Sequence, residues 1–304
     1  MKKILLYILI IISLILLVFI GIIKDRHTST LRDDKREFAI SDTLSIDKII
    51  LENRSLEKLI LQRNKRETKW ILNDTLIANP YSINLLLKTI KEMQIKNPIA
   101  RSGLENVFKR MAIQNTKVIF FENNKKIKTI YIGGETADQL GTFMMIEGAE
   151  EPYVVHIPGF NGYLSSRFSC KEHLWRSKKI FHQKIQTVKY IKNDTDIGYS
   201  NTPQKLENIY CEKFITDNQI LQNEIKSRAP FIIIEISTET GSKENLYCIR
   251  KKTVNKIKYK HQKYDEERFY GLINNTIMLI QYKQLKNAGL SEEAKKVFMP
   301  WDKN

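Results

Sequence analysis

The chain has 304 residues, 42% of them apolar, and a formal net charge of +16 from 50 basic and 34 acidic side chains. The apolar share excludes a disordered chain, which lacks the hydrophobic surface needed to offset ordering, and three cysteines at wide spacings exclude a disulfide framework. The positive balance invites an anionic partner such as phospholipid head groups, an acidic glycan or nucleic acid; a solvated, lysine-rich surface accounts for the same charge.

In chain order, the first element is an apolar run from Ile4 to Ile23. It is long enough to cross a bilayer as one helix, and it is apolar on all faces, unlike a surface helix. A cleavable leader has a shorter apolar stretch followed by small residues, whereas this run leaves through Gly21, Ile22, Ile23, Lys24 and Asp25. The expectation is a transmembrane helix retained as a signal anchor over residues 1–24. Lys2 and Lys3 precede it, while Lys24, Arg26, Arg32, Lys35 and Arg36 follow, partly offset by Asp25, Asp33 and Asp34. Read literally, that count keeps the following domain in the cytoplasm, but a large domain can translocate regardless of its charge.

Residues 25–45 are dense in charge and read as a tether. Short apolar runs from Ile46 to Leu72, split by Asn53-Arg54-Ser55 and Asn64-Lys65-Arg66, predict antiparallel strands. A helix follows: Asn79 is placed to cap it, Pro80 suits its first position, and Ile83, Leu86, Leu87, Ile90 and Met93 recur on one face. Ser102 and Glu105 have the spacing of a capping box for a second helix presenting Leu104, Val107, Phe108 and Met111. Strands return at residues 117–121, 128–132, 142–147 and 153–157, joined by turn chemistry at Asn123-Asn124, Gly133 to Gly141 and Gly148 to Pro152. Residues 46–168 therefore form a first unit, and residues 169–184 a connector in which Trp175 and Phe181 bury ring area.

The second half echoes the first. IDKIILEN at 46–53 is matched by IQTVKYIKN at 185–193, KVIFFENNKKIKTIYI by FIIIEISTETGSKENLYCI, and MMIEGAEEPYVVHI by FYGLINNTIMLIQY. Asp217, Ile220, Leu221, Glu224 and Ile225 mark a helix between the first two echoes. The predicted fold class is α+β: an N-terminal transmembrane helix, then two repeated units of antiparallel sheet packed with helices, the second spanning 185–286. A tail at 287–304 holds a short helix opened by Ser291, Glu292 and Glu293.

The segment richest in chemistry runs from Gly133 to Arg167. Gly133, Gly134 and Gly141 let backbone amides approach an anion, but nucleotide fingerprints need a helix directly after the glycines and here a strand follows. Thr136, Asp138 and Thr142, with His156 on a later strand, supply the residue types of a nucleophilic relay. No nucleophile elbow is present, and His156 alternates with Val155 and Ile157 as a strand residue does. Pro158, Gly159, Phe160, Asn161 and Tyr163 complete the candidate binding surface. Cys170, Glu172, His173 and His182 lack a second close ligand pair, so no metal and no cofactor are expected. Cys211 and Cys248 are the pair to test for a disulfide if the domain is extracytoplasmic. Lys251, Lys252, Lys256, Lys258, Lys260 and Lys263, interleaved with Tyr259 and Tyr264, read as a solvated loop or as an arm touching anionic lipid or glycan. No nucleic-acid partner is expected for an envelope domain, although charge with aromatic stacking can hold single strands.

The residues Trp70 to Asn73, Asn84 to Leu86, Gly133 to Thr142, His156 to Tyr163, Trp175-Arg176 and Arg268 to Tyr270 give the chain a resemblance to the bacterial family catalogued as domain of unknown function 4340. The resemblance implies an N-terminal membrane anchor and a repeated α+β body, in Bacteroidetes-like bacteria, and it supplies no catalytic residues. It also favours a periplasmic body held at the inner membrane. Some relatives accompany gliding-type ABC transporter components, which implies an accessory subunit as one alternative. The reading is a single-pass, membrane-anchored envelope protein that binds a protein partner or an anionic envelope polymer without catalysis; the other alternative is an envelope hydrolase or transferase using Asp138 and His156.

Overall fold

The computed structural model describes residues 36–63, 69–253, 263–286 and 288–299. The chain divides into two compact units, Met1–Ser177 and Lys178–Asn304.

Unit 1 opens with strands β1 (Lys48–Asn53), β2 (Lys58–Arg63), β3 (Trp70–Leu72) and β4 (Leu76–Ile77), followed by helix α1 (Pro80–Glu92). Then come β5 (Gln94–Pro98), helix α2 (Arg101–Ile113), β6 (Thr116–Glu122), β7 (Lys125–Glu135), β8 (Thr142–Ile146), β9 (Tyr153–His156) and the short helix α3 (Glu172–Trp175). They form one sheet in the order β4-β3-β2-β1-β6-β7-β8-β9-β5, antiparallel throughout. Asn79 caps α1 by accepting from the Tyr81 N–H, Pro80 takes the first turn, and Ile83, Leu86 and Ile90 are buried. Their face meets Leu51, Leu61, Phe120 and Ile130 in a single core. The predicted capping box on α2 does not form. The chain stays extended through Ala100, so Ser102 falls inside the first turn rather than before it.

Unit 2 contains β10 (Ile185–Lys192), β11 (Thr195–Tyr199), β12 (Lys213–Phe214), helix α4 (Gln219–Lys226), β13 (Ile232–Thr238), β14 (Lys243–Lys252), β15 (Tyr264–Ile273) and β16 (Thr276–Gln281), then helices α5 (Lys283–Lys286) and α6 (Glu292–Phe298). Its sheet order is β11-β10-β13-β14-β15-β16-β12. Unit 1 follows the same path from β2 to β5 and adds β3 and β4 beyond β2. In each unit an opening hairpin crosses to the far edge, a helix returns the chain to the centre, and a four-strand meander fills the gap.

Two expectations are corrected. The α+β class gives way to a mainly β fold, with 41% of the described residues in strands and 24% in helices. Tight hairpins explain this: Asn123-Asn124, Asn193-Asp194 and Asn274-Asn275 are two-residue turns and Asn73-Asp74 opens a three-residue one, and all eight residues have positive φ. Such paired left-handed turns match the twist of the flanking strands, so successive strands pair directly and helices are left to the crossovers and to the stretches after the last strand of each unit. The second correction concerns the expected membrane association through a transmembrane helix retained as a signal anchor, which the structure does not support. Among the described residues no helix is long and apolar enough to cross a membrane. The span expected from Ile4 to Ile23 lies outside the described residues, as do Lys256, Lys258, Lys260, Pro300 and Trp301.

Candidate functional site

The β7–β8 connection, residues 136–141, closes on itself. The Thr136 N–H donates to the Gly141 carbonyl at 3.0 Å, and the Gln139 N–H to the Thr136 carbonyl at 2.9 Å. Asp138 accepts from the Thr136 hydroxyl and, at 3.0 Å, from the Leu140 N–H; Lys96 on β5 stands 3.5 Å from its other oxygen. The Thr136 hydroxyl, then the Leu140 amide and Lys96, hold the Asp138 carboxyl below its usual range. It is thus an ionised turn-closer of the kind aspartate makes in loops, and a weak proton acceptor.

Gly141 is required by close approach. A Cβ there would lie 2.4 Å from Val154 Cγ1 on β9. The fully buried Thr142 accepts the Leu164 N–H at 2.7 Å, which ties down the far end of the segment His156 to Leu164 (HIPGFNGYL). Within that segment Pro158 and Gly159 form a turn closed by Phe160 N–H to Ile157 carbonyl at 3.0 Å, with Gly159 at φ +77°. Arg167 lies 4.3 Å from the Phe160 ring centre and donates to the buried Thr89 hydroxyl at 2.8 Å. Asn161 is exposed beside this turn. His156 pairs with Gln94 of the edge strand β5, and no hydrogen bond among the described residues joins it to Asp138 or Thr136. The hydroxyl, carboxylate and imidazole therefore form no relay.

Gly133, Gly134 and Tyr163 instead reach a common place. With Asn53, Arg54, Ser55 and Glu57 of the β1–β2 turn, Arg110, Ile113 and Asn115 at the end of α2, and Ser165, Ser166, Ser169, Cys170 and Lys171, they line a cleft of about 570 Å³. Gly133 leaves room for Met111, since a Cβ would come within 2.8 Å of its Cγ. Arg110 donates to the Glu135 carbonyl at 3.3 Å and lies 5.6 Å from the Phe143 ring centre. Arg54, Arg110 and Lys171 outnumber Glu57 and Glu135, and serine hydroxyls supply neutral donors and acceptors between them. Burial, then Glu57, pushes the Cys170 thiol up to about 11, so it stays protonated and is a poor nucleophile.

The basic run in unit 2 is mostly ion-paired where it is described. Lys251 meets Asp265 at 2.6 Å and Lys252 meets Glu224 at 3.2 Å, while Lys263 lies 5.4 Å from the Tyr264 ring centre. Cys211 and Cys248 are buried and form no disulfide.

Sequence reasoning missed Arg54, Arg110, Ile113, Ser165, Ser166, Ser169 and Lys171 as parts of one surface. Their segments are far apart in the chain, and only the strand order gathers them. The one local signal was the Asn53-Arg54-Ser55 turn, which reads equally as an ordinary hairpin connection. Family models, curated proteins and solved structures give no match to the chain.

Proposed function

We propose that this protein is a non-enzymatic binding module that engages a protein partner or an anionic polymer through the unit 1 cleft. The observation that carries this reading is the cleft's lining: three cations, a set of hydroxyls and exposed Ile113, around a half-buried thiol held in its unreactive form. Such a surface recognises carboxylate- or phosphate-bearing segments by charge-assisted hydrogen bonds. A hydrolase or transferase reading has less support, because Asp138 and Thr136 are spent on closing their own loop.

The test is titration of the full-length chain with fluorescent poly-glutamate. Charge reversal at the exposed Arg54 and Lys171 (R54E/K171E) should weaken binding about tenfold or more, and added salt should weaken the wild type. Equal binding by the wild type and R54E/K171E would remove the cleft from the interaction.

A further inference from the structure

Residues 36–40 belong to no helix or strand, yet they are fixed against unit 1. Phe38 is 2% exposed and meets the Tyr153 ring edge to face at 6.2 Å, within the core that α1 shares with the sheet. Ile40 packs on the same core. Arg36 donates from Nε to the Tyr153 hydroxyl at 3.0 Å, and its guanidinium lies 5.8 Å from the ring centre. That hydroxyl donates in turn to Glu151 at 3.0 Å, which polarises it as an acceptor. Positions 36, 38 and 40 have the spacing of an extended chain that lays one side on a surface.

The main chain of the segment is held by groups that ask nothing of its sequence. Lys128 on β7 donates to the Glu37 carbonyl at 2.6 Å and to the Ala39 carbonyl at 2.7 Å. The Ile40 N–H donates to the Ile90 carbonyl at 3.1 Å, in the last turn of α1, where carbonyls lack intrahelical partners. A seat that grips the backbone and reads alternate side chains is a mode by which domains recognise extended peptides. The segment takes no place in the strand order of the sheet. An exposed connection joins it to β1, through Ser41 and a turn in which Asp42 accepts the Leu44 and Ser45 N–H groups.

We infer that this seat on unit 1 is a binding site for an extended peptide of the pattern basic-x-aromatic-x-aliphatic. Arg36, Phe38 and Ile40 fill it in cis here, and the seat takes the same pattern from another chain when the resident segment leaves. Tyr153, Lys128 and Ile90 do not line the cleft, so the inference stands apart from the binding-module reading.

The probe is a fluorescent peptide with the sequence of residues 36–41, Arg-Glu-Phe-Ala-Ile-Ser, titrated into two altered forms of the full-length chain. The first form is Phe38→Ala, which takes the aromatic group out of the seat. The second carries a protease recognition sequence between the exposed Ser41 and Asp42 and is cut after folding, so that the resident segment loses the advantage of being tethered. Each form should bind the probe about tenfold more tightly than the uncut wild type, and a probe with alanine in place of phenylalanine should lose about the same factor. The probe should also raise the urea midpoint of Phe38→Ala and leave that of the wild type unchanged. If Phe38→Ala does not fold, the cut chain decides. If a folded form binds the probe no better than the uncut wild type, or binds the alanine probe equally well, the segment is a fixed part of the unit 1 core and the inference falls.

Discussion

At the level of single residues, the groups singled out for chemistry act mainly as braces. Thr142→Val would leave the Leu164 N–H buried without its acceptor, at a cost of about 1–3 kcal/mol, while Thr142→Ser should be near neutral; urea denaturation separates the two. Gly141→Ala drives a methyl toward Val154 Cγ1, an overpacking expected to cost about 1–3 kcal/mol. Removing the obstacle with Val154→Ala in the same chain should recover part of that loss, and a strictly additive double variant would refute steric conflict as the cause. Asp265 gives a pH signature. Burial works to raise its carboxyl, but Lys251 at 2.6 Å and the Glu267 and Arg268 amides prevail and hold it below the usual range. A folded value below the unfolded one, about 3.9, means that the stabilisation is present above that pH and is lost as pH falls through the folded value. Asp265→Asn should therefore be less stable than wild type by about 1 kcal/mol near neutrality, with the gap closing below about pH 4. A gap that persisted at low pH would mean that Lys251 contributes nothing through charge.

At the level of elements, helix α6 is pinned at its C-terminal end by Arg250, while Ala294 and Phe298 bury it in the unit 2 core. Arg250→Ala removes the donors to Val297 and Phe298, the bond to the Tyr282 hydroxyl at 2.8 Å and the stack on Phe231. The loss should be about 2–3 kcal/mol, and hydrogen exchange should rise first in residues 292–298. Arg250→Lys should fall between, since an ammonium keeps the charge without the planar fork; full retention of protection in Arg250→Lys would assign the effect to charge alone. Much of this level was legible in the sequence. The Asn123-Asn124 turn is a local signal because asparagine tolerates positive φ, and Asn73-Asp74, Asn193-Asp194 and Asn274-Asn275 carry the same signal, which the sequence reading passed over; the α1 cap and apolar face are local signals too. The failed capping box at Ser102 shows the limit of such spacing, because the helix start depends on where the preceding extended segment ends.

At the level of the whole molecule, the cleft was hidden because its walls come from residues near 54, 110, 134 and 170, joined only by a nine-stranded order. The repeat was visible as pattern, and the two sheets share one strand path, from β2 to β5 in unit 1 and from β11 to β12 in unit 2. The cysteines report on both units. Cys248 is fully buried, and burial drives its thiol strongly upward, while Cys170 is half-buried at the cleft. Thiol labelling of the native chain should therefore modify Cys170 well before Cys248, and denaturant should expose all three; equal native rates would contradict the buried unit 2 core.

Helix α6 has one more consequence. Besides its contacts with Arg250, its cap Ser291 bonds the Ile197 carbonyl at 3.2 Å on the outermost strand β11, whereas the opposite rim of the same sheet ends in a strand of only two residues. Unpaired strand borders are templates for chain-to-chain stacking. Helix α6 thus covers part of one open border of the sheet, and a molecule that sheds it would lose the buried Ala294 and Phe298 from the unit 2 core as well as gain a tendency to polymerise.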